Sequence, residues 1–404
     1  MKILHTSDWH IGQRLHGNDR EEEFQLFFHW LKDLIEEQQF DVLLISGDVF
    51  DVGFPSNGAL KQYYQFLTSL IGSCCKQIII TGGNHDYIST LEAPSDVLSA
   101  LNIQVIGGAR ENIEEELIEI KSNGQLQAVV AAVPFLRDKD IRLINAGESY
   151  EDSIKAINQG IIKHYQRLAE ETKEYNCPVI AMGHLYVQGA GLSESERDIH
   201  IGNLSGLSVD AFPKEFDYLA LGHIHRPQKL NAEGTVRYSG SPLPLSFSER
   251  ADNKQIIALD LDRDGIKRIE EIKVPAFRKL ISFKGLFDVV ADELKAYQGK
   301  SDLTDWAEVA IEELVMNPAL RTDFESLIES INRSDNGLLV VKPTLRFTGD
   351  EVSQEESLQN SLADLQVEDV FDNLLESKHI LNKDEVSKSF TELLDAFHHQ
   401  TENE

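Results

Sequence analysis

Along the first 110 residues, apolar positions follow two alternating rhythms. Short continuous runs, "KILHTS", "VLLIS" and "QIIIT", are bounded by polar residues or glycine, the pattern of strands buried on both faces. Between the first two, Phe24, Phe27, Phe28, Leu31, Leu34 and Ile35 recur at intervals of three and four, which predicts a helix with one face in the core. A second helical stretch separates "VLLIS" from "QIIIT". The order predicts an α/β layered start.

Strands dominate the stretch beyond residue 110. "SNGQ" at 122–125 predicts a hairpin turn before the strand "AVVAAVPF", and a helix near 150–172 precedes "PVIAMGH". "DYLALGHIH", "TVRYSGS" and "QIIALDLD" complete the unit, and a two-sheet sandwich with outer helices accommodates that order better than one open sheet. From about 278 the pattern restarts with "KLISF", a helix over 285–297, "WAEVAIEEL", another helix and "LLVVKPTLRF". The expected organisation is a large domain over 1–275, a smaller α/β domain over 276–348 and a tail over 349–404. In the tail, Val367, Val370, Phe371, Leu374 and Leu375, then Val386, Phe390, Leu393, Leu394 and Phe397, are spaced for two helices. Such apolar stripes need a surface to cover, either the body of the chain or a partner.

Composition narrows the setting. A chain of 404 residues exceeds the roughly 250–300 at which a single core stops growing, so more than one unit is expected. No run approaches the ~20 apolar residues of a membrane span, and "MKILHTSDWH" does not read as a leader, so a cytoplasmic protein is expected. Cys74, Cys75 and Cys177 have neither disulfide-framework nor metal spacing and read as reduced thiols. The formal charge of -30 excludes a broadly basic nucleic-acid binder. It leaves DNA open as a substrate, because bound ions and local arginines can hold phosphate within an acidic whole. Residues 351–404, with fourteen acidic side chains against three Lys or Arg, are not expected to bind DNA themselves.

Five polar clusters fall at or just after predicted strand ends. They are "SDWH" with Asp8 and His10, "SGDVFD" with Asp48, "GGNHD" with Asn84, His85 and Asp86, "MGH" with His184, and "LGHIH" with His223 and His225. Strand C-terminal edges are where an α/β scaffold presents ligands, and glycine lets the backbone turn tightly there. One Gly-His pair is ordinary turn chemistry, but independent loops have no structural reason to repeat the same order five times. Setting His85 aside, two carboxylates, an amide oxygen and four imidazoles suffice for two divalent ions if one carboxylate bridges them. Two ions about 3.5–4 Å apart can clamp the attacking and leaving oxygens of a phosphate ester. Mixed imidazole and carboxylate ligation suits Mn, Fe or Zn better than Mg, so Mn2+ is the expected ion and Mg2+ the alternative.

These clusters resemble the five signature motifs of the calcineurin-like metallophosphoesterases. Within that superfamily, "TSDWHIG", "SGDVFD", "TGGNHD", "FDYLALGHIHRPQ" and "YSGSPLPLSFSE" resemble the SbcD family, bacterial relatives of the double-strand-break repair nuclease, and the likeness covers nearly the whole chain. The resemblance implies Asp8, His10 and His225 at one ion, Asn84, His184 and His223 at the other, and Asp48 bridging. It implies that His85 protonates or stabilises the departing oxygen while metal-activated water attacks phosphorus in line. It also implies exonuclease action on duplex DNA ends and endonuclease action on single strands or hairpins, in DNA repair, recombination and replication. The smaller domain would be a capping domain that presents DNA. The tail would bind the coiled-coil base of an SbcC-type ATPase, within a heterotetramer built on a homodimer.

The remaining residues carry expectations of their own. Asp86 orients the His85 imidazole or caps its own turn. Arg14, after "HIG", and Arg226, after "GHIH", are candidate phosphate contacts, with solvated charge as the plain alternative. Asp51 reads as holding its loop, Arg137, Lys139 and Arg142 as a surface network, and His5 and His200 as structural. A phosphoprotein phosphatase or small-molecule phosphodiesterase could use the same dimetal core. Against the phosphatase, "GDVFDVG" lacks the arginine that such enzymes place after the second aspartate. A noncatalytic scaffold is a third class, disfavoured by the intact set of motif residues.

Overall fold

A computed structural model describes residues 1–141, 149–196, 206–314, 317–348 and 390. Two six-stranded sheets form its centre. The first has the spatial order Gly265–Lys273, Gln255–Asp262, Lys2–Thr6, Val42–Ser46, Gln77–Thr81 and Ile103–Ile106. The last four are mutually parallel and the first two antiparallel. The second sheet has the order Gln228–Lys229, Val236–Tyr238, Tyr218–Gly222, Val179–His184, Gln125–Ala132 and Leu117–Ser122. Its four central strands are parallel and each edge strand is antiparallel to its neighbour.

The continuous apolar runs have a direct cause. In Val42–Ser46, Val42 and Leu44 enter the core between the sheets with Ile79, Val130, Ile180 and Met182, while Leu43 and Ile45 face the helix layer outside. Successive strand side chains point to opposite faces, so a strand covered on both sides must be apolar at every position. The helix Glu21–Gln38 lays Phe24, Phe27, Phe28, Leu31, Leu34 and Ile35 on that outer face, each phenylalanine contributing about 1.5–3 kcal/mol by burial. It ends at Gln39, whose φ of 57 is a left-handed cap. The helix Tyr150–Thr172 covers the second sheet through Ile157, Ile161, Tyr165 and Leu168. The expected sandwich flanked by helices is thus the observed architecture. The "SNGQ" turn joins Leu117–Ser122 to Gln125–Ala132, with Asn123 and Gly124 at φ of 52 and 75 as a tight hairpin requires.

By contacts the chain divides into two units, Met1–Ile311 with Ala319–Leu345, and Glu312–Pro318 with Arg346–Glu404. In the first unit, Leu280–Gly285 and the parts of the strands Asp305–Glu313 and Leu338–Phe347 up to Ile311 and Leu345 form a three-stranded sheet with its own core against the helix Phe287–Ala296 and, from Ala319 on, the helix Pro318–Arg333. It is seated on the sandwich by Leu280 and Trp306 against Leu15 and Phe247. Beside them Arg278 stacks its guanidinium 4.1 Å over the Trp306 ring and faces Glu23, which pairs with buried Arg20. In the second unit, Thr348 donates a backbone hydrogen bond to Glu313. Apart from Phe390, the tail expected to form two helices lies outside the described residues, as do Arg142 and His200. Among the described residues, no helix is long and apolar enough to cross a membrane.

Candidate metal centre

The parallel strands end at one crest of the sandwich, and their pairing continues past the last strand residues. Asp8, His10 and Ile11 donate backbone hydrogen bonds to Gly47, Asp48 and Val49. In "SDWH" the middle residue turns inward: Trp9 is fully buried against Phe27, Phe28 and Phe66, and its indole nitrogen donates to Thr6 Oγ1. Burying that ring throws the neighbours Asp8 and His10 outward onto the crest, at φ of 53 and 50. Asp48 and His223 also have positive φ, 47 and 98. Non-glycine residues avoid this region at a cost of about 1–3 kcal/mol each, so four of them on converging loops mark stored strain at a functional site. Glycine is obligatory where the loops cross. A Cβ on Gly83 would lie 2.1 Å from Asp48 Oδ1, and one on Gly47 would lie 2.1 Å from His184 Nδ1.

Ligand-type atoms converge as a result. Asp8, His10 and His225 bring one atom each within 4.8 Å of one another, and so do Asp8, Asp48 and His184. Asp48 Oδ2 lies between the groups, 3.6 Å from His10 Nε2 and 3.2 Å from His184 Nε2. Asn84 Oδ1 is 2.9 Å from the same His184 nitrogen, and the His223 ring is 5.5 Å from that of His184. All seven predicted ligand residues therefore meet at one place, and all except Asn84 are buried.

The imidazoles are held from behind. His184 Nδ1 donates to Ser46 O at 3.0 Å, and His10 Nδ1 is 3.2 Å from Asp51 Oδ1. His225 Nδ1 is hydrogen-bonded to Ser195 Oγ at 2.6 Å. Nε2 of His10 and of His223 is buried without a hydrogen-bond partner among the described residues. Engaging Nδ1 fixes a ring so that Nε2 faces inward, the usual way a ligating histidine is oriented.

Titration here is governed by the closeness of carboxylates and imidazoles. Burial works against charge on Asp48, yet His184 and His10 hold its carboxyl well below the usual range. Burial likewise lowers the His184 pKa, but Asp48 and Asp8 outweigh it and push it up to about 9. Burial and the neighbouring His184 keep His223 well below the ordinary imidazole value, as a neutral nitrogen ligand requires. Two buried carboxylates, an amide oxygen, four imidazoles and inward nitrogens without partners make a donor set that fits divalent cations.

His85 lies at the edge of this cluster, its ring 4.7 Å from that of His10. Its Nδ1 donates to the carbonyl of Asp51 at 2.6 Å, and because a carbonyl can only accept, that nitrogen carries a proton. The geometry corrects the reading of Asp86 as orienter of His85. The Asp86 carboxylate accepts from the amides of Phe50, Val49 and Gly83 at 2.9–3.0 Å, which ties two crest loops together and leaves the imidazole to Asp51. Burial and the Asp48 charge push the Asp86 pKa up to about 6 against those three donors.

The two arginines bond outside the cluster. Arg14 is exposed and donates to Gly17 O at 2.7 Å, while Arg226, 42% exposed, pairs with Asp252. Arg226 lines a cavity of about 460 Å3 with Lys229, Arg237 and Glu271. Of the other basic residues, Arg137 reaches back to donate to Asp86 O at 3.1 Å. The support behind His225 has no counterpart among the residues singled out from sequence. Glu249 receives Lys254 Nζ at 2.5 Å and bonds Ser195, and Glu196 accepts the His225 amide at 2.9 Å. Glu249 lies inside "YSGSPLPLSFSE", and its place in that motif is the one signal that points to it.

Comparison with known proteins gives an independent line. A family model described as calcineurin-like phosphoesterase matches residues 1–227, and one described as type 5 capsule protein repressor C-terminal domain matches 276–379. The D subunit of the nuclease SbcCD from Escherichia coli (strain K12) is 31% identical over 379 residues, 93% of this chain and 92% of that protein. The protein of the same name from Rhodobacter capsulatus is 39% identical over 272 residues, 65% of this chain and 66% of that one. The Bacillus subtilis one is 30% identical over 312 residues, covering 76% and 75%.

Proposed function

The chain belongs to the calcineurin-like phosphoesterases and, within them, to the SbcD nuclease subunits, and from that membership we propose how its crest hydrolyses DNA. The enzyme is a metal-dependent nuclease. The observation that carries the residue assignment is the convergence of seven donor side chains from five loops, with buried nitrogens of His10 and His223 left without partners. Asp8, His10 and His225 would hold one ion, Asn84, His184 and His223 the other, and Asp48, facing both groups, would bridge. When bound, such ions supply positive charge to the phosphate oxygens and acidify water. The imidazole-rich set favours Mn2+ over Mg2+.

The chain's own residues do the rest. His85, pinned through Nδ1 to Asp51 and kept beside the ligands, offers its imidazole to the departing oxygen as proton donor. Asp51 holds the His10 ring by its carboxylate and the His85 ring by its carbonyl, so one residue sets the spacing between a ligand and the acid. Asp86 fixes the loops that carry both. Arg14 and Arg226 are proposed to touch phosphates remote from the metals. Duplex ends, single strands and hairpins are the proposed substrates, in DNA repair, recombination and replication in the cytoplasm. The domain over 276–348, which lies within the segment matched over 276–379, is proposed to present DNA through its sheet, and the tail over 349–404 to bind the coiled-coil ATPase in a heterotetramer built on a homodimer.

The test is incubation of purified chain with labelled duplex and hairpin DNA, with and without Mn2+, the ATPase partner and ATP. Cleavage that requires the metal is the expected result. Untouched DNA alongside hydrolysis of a cyclic nucleotide or phosphopeptide would overturn it.

A further inference from the structure

Phe54 is 77% exposed and Tyr87 44% exposed, with ring centroids 4.8 Å apart and planes at 31°. Isolated apolar side chains on a surface are ordinary, but these two form a pair on the very loops that carry Asp48 and His85. Tyr87 directly follows Asp86, and Phe54 lies three residues after Asp51. The pair is also rigidly mounted. Gly53 sits under the Tyr87 ring so closely that a Cβ there would be 2.0 Å from Tyr87 Cδ2, and Thr90 Oγ1 donates to Gly53 O at 2.9 Å. The same loop accepts His85 Nδ1 through Asp51 O, so rings and imidazole share one frame. The two rings cover each other only in part, and the Phe54 face stays open to solvent. It is prepared for something flat.

We propose that Phe54 and Tyr87 form a stacking platform for an unpaired nucleobase beside the scissile phosphate. The proposal rests on the proposed function, in which the substrate is DNA. With a formal charge of -30, the chain cannot draw its affinity for a polyanion from a broadly basic surface, whereas stacking of bases on aromatic rings is independent of charge. A base can offer its face only when unstacked from its neighbours, so the platform selects frayed ends, single strands and hairpin loops over the interior of a duplex. The backbone of the stacked nucleotide then lies toward His85 and the ligand cluster.

The experiment uses the full chain, with and without its ATPase partner, and a labelled single-stranded oligonucleotide, either normal or with stable abasic residues flanking one phosphate. With Mn2+, wild type is expected to cut the abasic-flanked phosphate about tenfold more slowly than the normal one. The double variant Phe54→Ala, Tyr87→Ala should lose that discrimination, Tyr87→Trp should keep it, and Phe54→Leu should weaken it. Equal cutting of both oligonucleotides by wild type, or unchanged discrimination in the double variant, overturns the platform. So does unchanged discrimination together with loss of ATPase binding or self-association, which would make the patch a protein contact. A second readout separates this from the nuclease reading. In EDTA, 2-aminopurine in the oligonucleotide should be quenched by wild type and not by the double variant. If no metal supports DNA cleavage yet quenching is seen, the nuclease reading fails and the platform stands; absent quenching overturns the platform alone.

Discussion

Two buried polar regions meet at His225 and follow opposite rules. On the crest, Asp8, Asp48 and four imidazoles are packed together, with Nε2 of His10 and of His223 lacking a hydrogen-bond partner and the backbone strained at four positions. Directly behind, Glu249 is fully buried and Lys254 nearly so, yet their charges are answered locally. Glu249 Oε2 accepts from Lys254, Ser241 and the Leu245 amide, and Oε1 from Ser195 and Ser193. Against the burial that would raise it, His225 and Lys254 hold the Glu249 carboxyl far below its usual range. A buried charge satisfied by its neighbours maintains shape, whereas buried acceptors that face one another require a cation from outside. The difference separates ligand from support more sharply than burial or residue type does.

The largest effect should come from breaking the crest. Asp48→Asn keeps an acceptor for the His85 amide but removes the charge between the two ligand groups. DNA cleavage should fall by on the order of a thousandfold or more, with Mn2+ binding weakened by calorimetry. Mn2+ should raise the thermal stability of wild type above its value in EDTA and should hardly raise that of the variant. An equal rise in both would mean that Asp48 is no ligand and that the two regions do not differ as described.

Breaking the support should do the reverse. Lys254→Ala strands the Glu249 carboxylate in the interior, for an expected loss of about 3–5 kcal/mol in urea unfolding. A double Glu249→Gln, Lys254→Met variant should recover much of it, because the uncompensated charge is gone. His85→Ala sharpens the contrast from the crest side. It should lower cleavage about a hundredfold or more while Mn2+ affinity stays near wild type, since its Nδ1 is bonded to a carbonyl and its role is proton transfer. If metal affinity collapses with it, His85 is a ligand and the acid must be sought elsewhere.

The crest was legible in sequence because its logic is local. A strand must end, a glycine must turn, and the next residue is displayed; Trp9 between Asp8 and His10 even announces which side chains face inward. The helix over 150–172 and the hairpin at "SNGQ" followed from periodicity and turn chemistry in the same way. The support was not legible. Glu249 and Ser195 meet from loops far apart in the chain, and apart from the place of Glu249 in "YSGSPLPLSFSE" nothing in either stretch distinguishes a buried partner from a surface residue. Asp86 was left between two readings for a related reason. Adjacency to His85 suggested a contact, but successive residues at a turn diverge, and its carboxylate turned to three backbone amides instead.

His5 supplies the smallest and cleanest test. It lies within the strand that leads to Asp8 and is fully buried, with Nδ1 3.0 Å from the Tyr218 hydroxyl and Nε2 unpartnered, as in His10 and His223. An unpartnered nitrogen is therefore not sufficient for a ligand, and among the described residues no candidate metal group includes His5. Burial, with the Arg237 charge, lowers its pKa to about 3. In the unfolded chain it titrates near 6.5, so below that pH the unfolded state takes up a proton that the folded state refuses. Stability attributable to His5 is complete above pH ~6.5 and is lost as pH falls toward 3, by about 1 kcal/mol between pH 6.5 and 5.5. His5→Gln keeps a polar group beside Tyr218 without the titration, so the difference in urea stability between wild type and variant should change with that slope over this interval. A constant difference would mean that an acceptor compensates Nε2 and that burial does not hold His5 neutral.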